Sequence, residues 1–101
     1  MQISVAKHDG VARVSLNGRF DFNSHREFRG SYDALVNDAE VTEIEVDLGG
    51  VDYLDSSALG MLLLLKERAS AAHKGIALSN CRGMVAQVLE VANFNKLFNI
   101  K

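Results

Sequence analysis

The sequence predicts an α/β fold, a mixed sheet of four to five strands with its helices packed on one face. Three observations predict it. Four short segments alternate apolar and polar residues with a period of two, the signature of half-buried strands. Between them, longer stretches space their apolar residues at helical intervals. In the third alternating segment the polar positions are all acidic, Glu43, Glu45 and Asp47, so one sheet face carries a row of carboxylates and the helices must cover the other.

The first strand holds Ile3 and Val5, the second Ala12, Val14 and Leu16. His8-Asp9-Gly10 joins them, and Asp-Gly beside alternating apolar residues is a hairpin signal, so this pair is antiparallel. Ser24-His25-Arg26-Glu27 has the form of a capping box and starts helix one near Ser24. Phe28, Tyr32, Leu35, Val36 and Ala39 give that helix one apolar stripe. The third strand carries Ile44, Val46 and Leu48, and Gly49-Gly50 after it read as a turn. Helix two begins at or just after Asp55 and runs to about His73, with Gly75 as its stop. Leu59, Leu62, Leu65, Ala69 and Ala72 face inward. Leu63 and Leu64 fall outside that stripe, one turn before Glu67 and Arg68, and either lie under a neighbouring helix or form an exposed apolar contact patch. Ile76 and Leu78 mark a fourth strand. Met84 to Ala92 forms a third helix with Val85, Val88, Leu89 and Ala92 inward, and Leu97-Phe98-Asn99-Ile100 alternates weakly as a short last strand. Helical crossovers between the later strands make them parallel.

A chain of 101 residues fits one domain, residues 1–101, without proline, repeat or low-complexity tract to mark a boundary. Its 48% hydrophobic and 24% charged residues are the balance of a soluble globular domain. A formal net charge of −2 is too small to attract nucleic acid or a membrane surface, and both are excluded as expected partners. The N-terminus lacks the basic start and apolar stretch of a signal peptide, and the longest apolar run, Met61 to Leu65, is too short to span a bilayer, so the cytoplasm is the expected location. Cys81 is the only cysteine, and His8, His25 and His73 are scattered. Neither a disulfide, a metal site nor a cofactor is expected, and Cys81 reads as a reduced structural thiol.

The chemistry concentrates where the third strand leads into helix two, in Asp47-Leu48-Gly49-Gly50-Val51-Asp52-Tyr53-Leu54-Asp55-Ser56-Ser57-Ala58-Leu59-Gly60. The end of a parallel strand and the start of a helix together favour function and tolerate negative charge. Ser56 here is open to two readings, a helix cap or a modification site. The segment lacks the Gly-x-Ser-x-Gly elbow of a hydrolase and the Lys-Ser/Thr of a phosphate loop, so an enzyme is not expected.

This segment resembles the STAS domain family, and specifically the small single-domain bacterial anti-sigma factor antagonists. The resemblance rests on Asp47-Leu48, Tyr53-Leu54 and Asp55-Ser56-Ser57-Ala58-Leu59-Gly60, with Leu16-Asn17-Gly18-Arg19-Phe20-Asp21, Val85, Val88-Leu89 and Phe98-Asn99-Ile100 in support. It implies the STAS fold, and a phosphorylation site at Ser56, with neighbouring Ser57 as second choice. It implies acidic positions flanking that site at Asp21 and Asp55, and with Asn23, Ser57 and the off-stripe Leu63 and Leu64 these are the expected partner-binding residues. The implied partners are an anti-sigma factor that is also a GHKL-type serine kinase, whose hold is released by phosphorylation, and a PP2C-type phosphatase that restores it. Ala58 departs from the family's glycine and narrows the expected room beside Ser56. Two alternatives stand beside this reading: a constitutive structural STAS subunit of a complex such as a lipid transporter, and a nucleotide or small-ligand sensor.

Overall fold

The computed structural model describes residues 1–101. A five-stranded sheet holds its strands in sequence order: β1 (Gln2–His8), β2 (Val11–Phe20), β3 (Glu43–Leu54), β4 (Gly75–Ser79) and β5 (Asn99–Ile100). β1 and β2 are antiparallel, and every later pairing is parallel. The helices α1 (His25–Val36), α2 (Ser56–Ala71) and α3 (Gly83–Val91) supply the crossovers, and short 3₁₀ turns occupy Phe22–Ser24 and Phe94–Lys96. This is the expected mixed sheet with its short last strand.

The hairpin turn has Asp9 and Gly10 both at positive φ (51° and 84°), the twist that matches two antiparallel strands. Val14, Leu16, Ile44, Val46 and Leu78 line the covered face of the sheet. They pack against Phe28, Tyr32 and Leu35 of α1, Leu62 and Leu65 of α2, and Val85 and Leu89 of α3, all within one cluster of 23 buried residues. Phe20 and Phe28 (5.0 Å between ring centroids) and Phe28 and Tyr32 (5.3 Å) stack the aromatic end of this core. On the opposite face two of the three carboxylates are paired with cations: Glu45 with Arg13 (3.1 Å) and Lys101 (3.3 Å), and Glu43 also with Lys101 (3.3 Å), while Asp47 accepts from Gly49 N (2.9 Å). These long cationic side chains lie over Glu45 and leave it only 5% exposed on a face that no helix covers.

Several local expectations are corrected. Gly49-Gly50 is no turn, because β3 continues through it to Leu54. Two register shifts against β2, between Ser15 and Asn17 and between Gly18 and Arg19, insert extra residues into β3 and end the strict alternation at Leu48. Glycine is required at position 50 by close approach, since a Cβ there would run into the Asn17 side chain and come within 2.9 Å of Leu16 O. Ser24 does not form the expected box with Glu27. Its hydroxyl donates to Arg19 O (3.0 Å) and accepts from Asp21 N (3.3 Å), inside a 3₁₀ turn that precedes α1. Ala39 lies beyond the end of α1 and is exposed. α2 ends two residues before His73, which takes the left-handed conformation (φ 60°). His73 N donates to Ser70 O (3.0 Å) and Lys74 N to Ala69 O (2.9 Å), a Schellman closure that leaves Gly75 free to begin β4.

Candidate functional site

β2 and β3 end together. Arg19 is in register with Tyr53 and Phe20 with Leu54, so Asp21 and Asp55 leave the sheet side by side at the carboxyl ends of two adjacent parallel strands. Each has extended backbone (φ −132° and −118°); Asp21 caps the 3₁₀ turn at Phe22–Ser24, and Asp55 caps α2. Asp21 Oδ1 accepts from Asn23 N (3.0 Å), and Asp55 Oδ1 accepts from Ala58 N (3.0 Å). The cap of α2 is therefore Asp55, and Ser56 is the first helical residue. Of the two readings open for Ser56, the cap falls. Its side chain is exposed and takes no part in capping, while Ser57 is half-buried.

At this helix start the amides of Ser56 and Ser57 precede the first intrahelical bonds, and the helix dipole presents its positive end. An oxyanion on Ser56 would thus meet favourable backbone at the helix start, with the capping carboxylate of Asp55 next to it in the chain. Ala58 is completely buried. Its methyl group fills the core under α2, so the departure from glycine does not crowd Ser56.

The structure gathers Asp21, Asn23, Asp55, Ser56 and Ser57 at one end of the sheet. Leu63 lies about two turns further along α2 on the same side as Ser56, with Leu64 next to it. They are 39% and 38% exposed, so no neighbouring helix covers them and both side chains stand open to solvent. Two residues at this end escape sequence reasoning. Phe22 is 73% exposed in the 3₁₀ turn that packs on α2, an aromatic side chain with no stripe to join. Arg19 places its guanidinium 4.0 Å from the centre of the Tyr53 ring and its Nε 3.3 Å from Asp21 Oδ2, so a cation stands among the carboxylates. The alternation of β2 would have given Arg19 no special place, because the bulges that turn it toward Tyr53 are invisible in the pattern.

Cys81 lies apart, half-buried beyond β4. Burial, and after it the charge of Asp47, pushes its thiol above the ordinary 9.0, which fits a structural thiol rather than a nucleophile. No helix is long and apolar enough to cross a membrane.

A family model described as "Mlab, STAS domain" matches residues 3–99. The chain is 42% identical over 87 residues to a STAS-domain containing protein of Pseudomonas aeruginosa, covering 86% of this chain and 84% of that one. It is 24% identical over 100 residues to BtrV of Bordetella bronchiseptica, a candidate anti-sigma factor antagonist, covering 99% of this chain and 85% of that one. Among solved structures it is similar to the Bacillus anti-sigma factor antagonist SpoIIAA in two forms. The unphosphorylated form gives a TM-score of 0.76 at 16% identity, over 99% of this chain and 87% of that one. The phosphorylated form gives 0.75 at 16% identity, over 99% and 91%. At that identity the likeness shows the fold alone.

Proposed function

The chain belongs to the STAS domain family, and from that membership we propose that it is an anti-sigma factor antagonist, a protein-binding switch controlled by phosphorylation of Ser56 in a bacterial partner-switching pathway. The observation that carries the reading is the division of labour at the start of α2: Asp55 holds the cap, and the Ser56 hydroxyl is left exposed. In this reading the unmodified domain binds an anti-sigma factor that is also a GHKL-type serine kinase. Asp21, Asn23, Asp55, Ser57, Leu63 and Leu64 form the contact surface, to which we add Phe22. A PP2C-type phosphatase reverses the modification, and the whole cycle runs in the cytoplasm. The domain is a binding module, and the catalysis belongs to its partners.

The physics of the switch is local. A phosphoserine brings about −1.5 to −2 charges, comparable with the formal −2 of the whole chain. The helix dipole offsets part of that within the domain, by about 0.3 to 1 kcal/mol. A partner packed over Ser56 must instead desolvate the dianion beside Asp55 and Asp21, at a cost of several kcal/mol when no cation answers it. Binding is lost and the fold is kept. Ser56→Asp is expected to abolish capture of the kinase co-purified from the native host, with a thermal midpoint near that of the unsubstituted protein and with Ser56→Ala still binding. Unchanged affinity in Ser56→Asp overturns the reading.

Membership of the STAS family is shared by a second reading, a constitutive STAS subunit of a multiprotein complex such as a lipid transporter. Intact-mass measurement on protein from its host separates the two. A subunit of that kind never carries phosphate, whereas the switch carries one on Ser56 under some condition.

A further inference from the structure

β1 forms one edge of the sheet, and its free side is uncommitted. The β1–β2 register runs without a shift from Gln2 opposite Asn17 to His8 opposite Val11, around the two-residue turn Asp9-Gly10. In such a hairpin the pair flanking the turn exchanges both backbone bonds, and bonded and non-bonded pairs alternate from there. Residues 2, 4, 6 and 8 therefore bond to β2, and the N–H and C=O groups of Ile3, Val5 and Lys7 point away from the sheet. None of these groups is used by a turn, loop or cap bond elsewhere in the chain.

Edge strands are normally protected by proline, by a bulge, by charge or by shortness. The opposite edge, β5, is only two residues long. β1 has seven residues, no proline and no bulge, and its one lysine, Lys7, is held by the chain's own Asp38 at 2.9 Å. Val5 stands 43% exposed in the middle of it, on the face that continues the core.

We propose that this edge is a self-association surface, on which two copies of the chain pair β1 to β1, antiparallel and centred on Val5, to form one continuous sheet. The strand is self-complementary in that register. Val5 stands opposite Val5, and Ile3 opposite Lys7 in both directions, so every outward N–H and C=O of residues 3, 5 and 7 finds its counterpart in a bonded pair. Ser4 then faces Ala6 and Gln2 faces His8, so no two like charges oppose each other. A register one residue away would set outward groups against groups already bonded to β2. The two-fold axis stands perpendicular to the sheet and keeps both helical layers on one side. It also reverses the strand direction between copies, so the two Ser56 ends point in opposite directions and each stays open to a partner.

Light scattering on the full chain over a concentration series is expected to show the mass doubling. Val5→Pro removes the central outward N–H, which β2 does not use, and is expected to return the mass to that of a monomer while the circular dichroism stays unchanged. The register has its own test in a Cys81→Ser background. Opposed bonded residues have Cα atoms about 5.5 Å apart, within disulfide reach, so Val5→Cys is expected to cross-link two chains on mild oxidation. Ser4→Cys, which faces Ala6, is not. A chain that stays monomeric at submillimolar concentration overturns the proposal, whether its edge serves a foreign strand or none. Cross-linking of Ser4→Cys as readily as Val5→Cys overturns it as well.

Discussion

Asp55 and Ser56 are both good capping residues, and they are adjacent. Position decides between them: the capping residue needs extended backbone, and the extended residue is Asp55, whose carboxylate reaches Ala58 N. The sequence marked this helix start as the candidate site but left the boundary one residue loose, and a one-residue difference exchanges the roles of cap and free hydroxyl. Unfolding measurements on single variants check the assignment. Asp55→Ala is expected to lose about 1 kcal/mol, the worth of a cap. Ser56→Ala is expected to stay within about 0.5 kcal/mol of the unsubstituted protein, as surface substitutions do. A larger loss in Ser56→Ala than in Asp55→Ala would return the cap to Ser56. Phe22 and Arg19 were illegible for a related reason, since each owes its place at the site to the turn and the bulges around it.

Elements were legible wherever a periodicity ran unbroken. The alternation of Ile44, Val46 and Leu48 gave β3 its faces, but one inserted residue broke it before Gly50 and another at Asp52, and a strand that loses its period looks like a turn. Those insertions let β2 and β3 finish level, which brings Asp21 beside Asp55. The same logic separates two glycines. At Gly50 an added methyl group meets Asn17 and the Leu16 carbonyl, so Gly50→Ala is expected to destabilise by about 1 to 3 kcal/mol. At Gly60, in the exposed middle of α2, a Cβ has nothing within 4 Å, so Gly60→Ala is expected to stabilise by up to about 1 kcal/mol. Opposite signs in urea unfolding confirm that Gly50 serves strand contact, and a neutral Gly50→Ala would show that β3 can relax there. α2 carried a second break of this kind. Its closure uses a left-handed histidine, His73, where glycine is the commoner choice, and the nearby Gly75 drew the boundary too far along the chain.

At the scale of the whole molecule, the sheet has a covered face held by apolar packing and an open face held by charge. The carboxylate row was plain in the sequence. The pairing of Glu45 was not, because Arg13 and Lys101 reach it from distant parts of the chain. Burial pushes the Glu45 carboxyl up, yet the balance falls below its ordinary 4.5. The nearby Ser79 hydroxyl is buried without a well-formed hydrogen bond, so Lys101 and Arg13 carry most of that opposing effect. Asp38 is likewise held below its ordinary 3.8, first by the hydrogen bond from Lys7. A carboxyl depressed in the folded state binds fewer protons there than in the unfolded chain, so its contribution is complete above the unfolded pKa and is lost as pH falls through the folded one. Lys7 and Lys101, raised above their ordinary 10.5 by hydrogen bonds to Asp38 and to Glu43, act in the opposite sense and lose their contribution as pH rises past the raised values. Stability is therefore expected to be level through neutral pH and to fall at both ends, with the acid fall beginning near pH 4.5. Glu45→Gln is expected to lower stability at pH 7 by about 1.5 to 3 kcal/mol, the worth of hydrogen bonds to charged groups, and to flatten the acid limb measured by urea midpoints. Added salt separates the two carboxylates, since it screens the exposed Lys7–Asp38 pair and barely touches a pair in which Glu45 is buried. An acid limb that keeps its slope in Glu45→Gln would mean that the open face is held by its backbone ladder alone, and that the charges on it are there to keep helices and other sheets away.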